Sequence, residues 1–239
     1  MHRIGTAGWS VPTKLKTCGT HLQDYSRTFS CVEINSSFYR SHKAATWRRW
    51  AGETPTDFRF SIKAPKTITH SAGLRDTEPL LRTFFAEIMP LEEKMGPVLF
   101  QLPPSLEFES RLAEEFLISV RKLYRDEAVL EPRHSSWFNA AANALLQKYT
   151  ISRVAADPPK GGEEAGEPGG DTGLSYYRLH GSPRIYYSNY DDPFLAAIAS
   201  RVTAHKNSWV IFDNTALGCA YTNALKLQTI VGPKANERS

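Results

Sequence analysis

Cysteine is scarce in this chain, with three in 239 residues. Cys18, Cys31 and Cys219 stand far apart with no CxxC spacing, which excludes a disulfide framework and a cysteine-rich zinc site. No apolar run reaches the ~18 residues of a membrane-spanning helix. The opening Met1-His2-Arg3-Ile4-Gly5 leads into a strand without the apolar stretch of a signal peptide, so a cytoplasmic protein with no membrane partner is expected. Nucleotide and hydrolase signatures are missing too. Gly5-Thr6-Ala7-Gly8 follows a strand but lacks the glycine pattern of a dinucleotide or triphosphate loop, and no GxSxG elbow occurs. Nothing in the sequence requires a cofactor.

Charge is unevenly spread. The chain totals +4, yet residues 1–75 hold 12 Lys and Arg against 4 Asp and Glu, while the remainder holds 17 against 21. That asymmetry fits an anionic ligand or nucleic acid on one side of the molecule. It fits a solvated basic face equally, because Lys14, Lys16, Arg48 and Arg49 form no dense run.

Hydrophobic periodicity alternates between strands and helices, the pattern of a parallel sheet with helical crossovers. Eight strands are read, near Arg3 to Thr6, Cys31 to Asn35, Phe58 to Lys63, Val98 to Leu102, Ala128 to Arg133, Ser152 to Asp157, Tyr176 to His180 and Trp209 to Asn214. Leu112, Phe116, Val120 and Leu123 make one helical stripe, and Leu80, Leu81, Phe84, Phe85, Ile88 and Leu91 another, which Pro90 should interrupt. The length is close to the ~250 residues of an eight-stranded α/β barrel. The expectation is therefore an α/β fold: a single TIM-type (β/α)8 barrel over residues 1–239, with a disordered tail at 232–239. The segment 158–173, rich in Gly, Pro and Glu, is expected as a mobile loop replacing the helix after strand six.

Strand phase places the polar residues. Side chains two apart share a face, so Glu33 with Asn35, Ser61 with Lys63, Glu131 with Arg133, and Arg178 with His180 align on five strands that also carry Gln101. All lie near the C-terminal ends, where α/β barrels build their sites. One reading is a charge-balanced buried network in which every ion is merely paired. The other is a ligand site. There Glu33 or Glu131 acts as general base, His180 or His134 as general acid, and Lys63, Arg133 and Arg178 bind phosphate or carboxylate. Asn35, Gln101 and Asn214 would orient a ligand, and Trp9, Tyr39 and Trp137 would stack on a ring.

Several longer motifs occur in one order: Gly5-Thr6-Ala7-Gly8-Trp9-Ser10, Val32-Glu33-Ile34-Asn35-Ser36-Ser37-Phe38-Tyr39, Phe58-Arg59-Phe60-Ser61-Ile62-Lys63-Ala64-Pro65, Leu99-Phe100-Gln101-Leu102-Pro103-Pro104, Arg133-His134-Ser135-Ser136-Trp137-Phe138 and Tyr177-Arg178-Leu179-His180-Gly181. With Asp213-Asn214 they resemble the YecE-like family, domain of unknown function seventy-two, over nearly the whole chain. The resemblance implies a TIM-type barrel and no particular activity. The chain departs from the family pattern in having Asp213 where Asn is usual.

Asp213 bears on a metal alternative, since Glu131, Asp157, His180 and Asp213 end the last four strands. Three carboxylates and an imidazole there would suit Mn²⁺ or Mg²⁺ and a sugar isomerase-like or hydrolase-like enzyme. The favoured expectation is an anionic small molecule or nucleotide fragment handled by acid/base groups. A non-catalytic nucleic-acid-binding protein is the competing one.

Overall fold

The computed structural model describes residues 1–232; the expected disordered tail lies, but for Gly232, outside the described residues. Among the described residues ten strands form: β1 (His2–Thr6), β2 (Cys31–Ile34), β3 (Arg59–Lys63), β4 (Met95–Gln101), β5 (Ala128–Glu131), β6 (Ser152–Arg153), β7 (Ala155–Asp157), β8 (Gly169–Gly170), β9 (Ser175–Leu179) and β10 (Ser208–Phe212). Seven α-helices alternate with them: α1 (His21–Ser26), α2 (Ala44–Gly52), α3 (Glu78–Ile88), α4 (Ser110–Leu123), α5 (Ala140–Lys148), α6 (Asp192–Thr203) and α7 (Cys219–Val231). Their starts are specified locally. Thr20 and Gln23 make a reciprocal capping box at α1, Asn139 accepts from the Ala142 amide at α5, and Asp191 accepts from Phe194 at α6.

The fold is α/β with parallel sheets, and the pairing corrects the expectation of one continuous eight-stranded ring. A four-stranded sheet runs β1-β10-β9-β7, and a six-stranded sheet runs β2-β3-β4-β5-β6-β8. All pairs are parallel except β6 with β8. The expected sixth strand is divided at Val154: β6 pairs with β5, whereas β7 pairs with β9. The Val154 amide still donates to Leu130 O, and Ala7 makes a single parallel bridge to Glu33. The sheets therefore meet at two seams, one before β7 and one after β1.

The segment 158–173 holds no α-helix. It carries a 3-10 turn at Glu163–Gly166 and the short β8, fastened where the Gly170 amide donates to Asn143 Oδ1 at 2.7 Å. Pro90 ends α3 as expected, and the chain continues as 3-10 turns through Met89–Lys94.

Two apolar clusters divide the interior. The larger joins the helices to the sheets through residues such as Leu81, Phe84, Phe116, Val120, Leu195 and Leu227; Leu80, expected in the α3 stripe, is exposed at 37%. The smaller comprises Cys31, Leu99, Val129, Val154, Leu174, Tyr176, Trp209 and Ile211. Five of its members, Cys31, Leu99, Val129, Tyr176 and Ile211, sit two residues before Glu33, Gln101, Glu131, Arg178 and Asp213, so strand alternation stacks an apolar layer directly beneath the polar one. Gly96 makes that layer possible. A Cβ there would stand 2.7 Å from the Trp209 ring and 3.0 Å from Phe60 O.

Gly96→Ala is expected to lower stability by about 1–3 kcal/mol, the usual cost of overpacking a filled core. Chemical denaturation of the variant beside the parent reads it directly.

Candidate active site at the strand ends

Arg178, last but one in β9, is fully buried and lies between three carboxylates. Its Nε and Nη2 donate to the two oxygens of Glu33 at 3.0 and 2.7 Å, a forked pair with fixed geometry. Nη1 donates to Glu131 Oε2 at 2.6 Å, and Nη2 reaches Asp213 Oδ2 at 3.3 Å. Tyr176, on the same face of β9, donates its hydroxyl to Glu33 Oε2 at 2.9 Å, with Ser61 Oγ 2.7 Å away. The expectation that Arg178 binds a ligand is thereby corrected. Four of its donor bonds go to these side chains, and it is buried from solvent.

A second tier sits nearer the opening. Arg133 donates through Nε and Nη2 to Glu131 Oε1 at 3.0 and 2.9 Å, and its side chain keeps 20% exposure. His180 pairs through Nδ1 with Asp213 Oδ2 at 3.0 Å, while its Nε2 stands 3.5 Å from Glu131 Oε1, beyond good hydrogen-bond geometry. Lys63 Nζ donates to Gln101 Oε1 at 2.7 Å and lies 4.2 Å from the centre of the Phe38 ring. Gln101 is oriented in turn, its Nε2 donating to Leu102 O at 3.2 Å.

These contacts pull protonation equilibria apart. Burial raises the Glu131 carboxyl, but Arg178 and Arg133 outweigh it and hold the group well below the usual range. Burial would also raise Asp213, yet its bond to His180 and the charge of Arg178 bring it down. For His180, burial and Arg178 disfavour the charged ring, whereas the bond to Asp213 and the nearby charge of Glu131 prevail and raise its pKa. Burial, aided by Arg178, lowers Lys63 to about 8. Opposed shifts among neighbours are what acid/base chemistry near neutral pH needs.

Other expected site residues lie apart from this assembly. Trp137 is 2% exposed, donates Nε1 to Leu106 O at 2.9 Å and packs edge-on against Phe108, so it is core. Trp9 packs against Trp50 at 5.1 Å. His134 caps its own turn through Ser136, and Asn214 ties Ser188 O to Asn223. Asn35 keeps a buried Oδ1 without a partner. Tyr39 is 70% exposed, beside a cavity of about 260 Å³ lined by Phe38, Pro65, Leu80 and Phe84.

The proposed metal ligands do not assemble. Among the described residues no group of three or more His, Cys, Asp or Glu side chains could hold a metal ion. Arg178 occupies the space between Glu131 and Asp213, and Asp157 is engaged by the Tyr190 hydroxyl at 3.4 Å. The basic excess of residues 1–75 is also dispersed: Arg3 and Arg59, at strand starts, donate to backbone carbonyls far from Lys63. No described helix is long and apolar enough to cross a membrane.

Sequence phase missed two participants. Tyr176 was findable, being two residues before Arg178. Tyr186 was not, because it stands in an irregular loop; it adopts φ +70° and meets His180 edge-on at 6.2 Å, held by its amide to His180 O at 2.6 Å.

Known proteins share this arrangement of chain. The sequence model of the family described as "Protein of unknown function DUF72" matches residues 3–239. UPF0759 protein YecE of Escherichia coli K12 is 39% identical in an alignment of 168 residues that covers 64% of this chain and 58% of that protein. The chain thus matches little more than half the length of this curated relative. A DUF72 family protein of Thermotoga maritima superposes with a TM-score of 0.81 at 26% identity, covering 97% of this chain and 99% of that one. D-Psicose 3-epimerase with D-tagatose, from Clostridium cellulolyticum H10, gives a TM-score of 0.51 at 11% identity over 99% and 92% of the two chains, a likeness of fold alone.

Replacing Arg178 by Met should cost about 3–5 kcal/mol at neutral pH, because buried carboxylates lose their counter-ion. Denaturant titration measures it. For His180 the raised folded pKa means its stabilisation is complete below the unfolded value of 6.5 and is lost as pH rises through the folded value. The stability gap between the parent and His180→Gln should therefore shrink from pH 6 to pH 9; a gap that widens contradicts the charged imidazole.

Proposed function

This chain belongs to the DUF72 family, whose description assigns no reaction, and from that premise we propose that its strand ends form a small-molecule site for an anion. We read the two sheets as halves of one (β/α)8 barrel, joined at the Ala7–Glu33 bridge and at Val154. In such a barrel the C-terminal strand ends carry the chemistry. The ligand's phosphate or carboxylate meets Arg133 and Lys63, while His180 with Asp213, and Glu131, exchange protons with it.

The observation that carries this reading is a surplus of cations. Three carboxylates, Glu33, Glu131 and Asp213, face Arg178, Arg133, Lys63 and a His180 whose charged form is favoured. A network serving only to pair buried ions would balance its charge. With His180 protonated one positive charge is left over, and the cations with solvent-facing surface, Arg133 above all, are the under-partnered ones. Arg178 is the strut that fixes Glu33, Glu131 and Asp213, and Gln101 is a positioning residue for Lys63.

Binding of inorganic phosphate followed by calorimetry at pH 6.5 tests the reading. Arg133→Met should weaken it by about tenfold to a hundredfold, the worth of a charge-assisted hydrogen bond of ~1.5–3 kcal/mol. Absence of heat with phosphate, pyruvate and a sugar phosphate alike overturns it. Tight binding of D-tagatose that phosphate does not displace would favour an uncharged sugar, following the epimerase likeness.

A further inference from the structure

We propose that Lys63 is a nucleophilic amine that condenses with a carbonyl compound carrying a phosphate or carboxylate group, forming an imine at the strand ends. The anionic part of that substrate rests on the reading given under Proposed function; the nucleophile rests on how Lys63 is housed.

Lys63 ends β3 and is 8% exposed. The site around it holds three buried carboxylates, yet among the described residues none lies within the 4.0 Å of an ion pair with Nζ. Arg178 has claimed all three. What Lys63 has instead is one neutral acceptor, Gln101 Oε1, and the face of Phe38. A buried ammonium without a counter-ion is costly, which shifts the equilibrium toward the neutral amine. With its pKa at about 8, roughly a tenth of the amine is unprotonated at pH 7, a few hundredfold more than in an ordinary lysine. Desolvation beside another cation is one of the standard ways to activate an amine for carbonyl chemistry.

Geometry favours attack. Gln101 is held by Leu102 O so that its oxygen, not its amide, faces Nζ; it accepts one N–H and leaves the nitrogen lone pair directed elsewhere. The lone pair bonds to the carbonyl carbon as the π pair moves to oxygen. That oxygen takes one proton from the nitrogen and one from the His180 imidazolium, then leaves as water as the remaining nitrogen pair makes the C=N bond. Nitrogen keeps its second proton, so the iminium replaces the charge given up by His180. The surrounding carboxylates and Arg178 are unchanged.

Reductive trapping tests the proposal. The full chain is incubated at pH 7 with sodium cyanoborohydride and either glyceraldehyde 3-phosphate, pyruvate or uncharged glycolaldehyde, and adducts are mapped by peptide mass spectrometry. Lys63 is expected to be modified by a charged probe at least tenfold faster than the exposed Lys14, Lys66 and Lys148, with a rate that rises through about pH 8. Lys63→Met removes that adduct only. Adducts confined to exposed lysines of the parent protein overturn the nucleophile without needing any variant. Should phosphate bind by calorimetry while Lys63 stays unmodified, this inference falls and the anion site stands. If glycolaldehyde labels Lys63 as fast as the charged probes and phosphate does not slow it, the anionic class falls instead.

Discussion

A single buried guanidinium decides how the strand ends are organised. Arg178 reaches from β9 to Glu33 on β2, Glu131 on β5 and Asp213 after β10, spanning both sheets from one position. Fully desolvated charges need good geometry and hydrogen-bond partners, and here four bonds, two of them the forked pair to Glu33, supply them. The sheets are joined along their length by few backbone bonds at the seams, so this cluster also ties them at their C-terminal ends.

The same residue sets the chemistry of its neighbours by occupation. Because its donors satisfy three carboxylates, none is free to accompany Lys63, and none can turn with others toward a metal ion. Its charge depresses Glu131, Asp213 and Lys63 and opposes the charging of His180, which the two nearer carboxylates restore. A structural strut and a tuning device are thus one interaction. The apolar layer below, with Trp209 laid over Gly96 and Tyr176 stacked on Trp209 at 6.1 Å, keeps water from the underside and keeps these effects strong.

Strand alternation is legible in the sequence alone, and it is why so much of the site is. Glu33, Lys63, Gln101, Glu131, Arg133, Arg178 and His180 could be put on one face and at one end from period-two pattern alone, since a strand allows only two faces. What alternation does not carry is partnership. Asp213 has the type and place of a metal ligand and is the partner of His180; Arg178 has those of a ligand contact and is buried among carboxylates; Trp137 and His134 follow a strand but turn into local packing and capping. Tyr186 left no periodic trace because its conformation comes from loop bonds to His180 and Ala216.

By itself, then, the sequence determined the α/β alternation, the parallel strand order of chemistry and the identity of the ionisable set, because these follow from local periodicity and residue type. Only the tertiary structure decided which carboxylate each cation meets, that the strand at 152–157 is shared between two sheets, and that Lys63 is left without a counter-ion. Those outcomes depend on distances between residues up to 145 positions apart, and on a competition for partners that no short window of sequence contains.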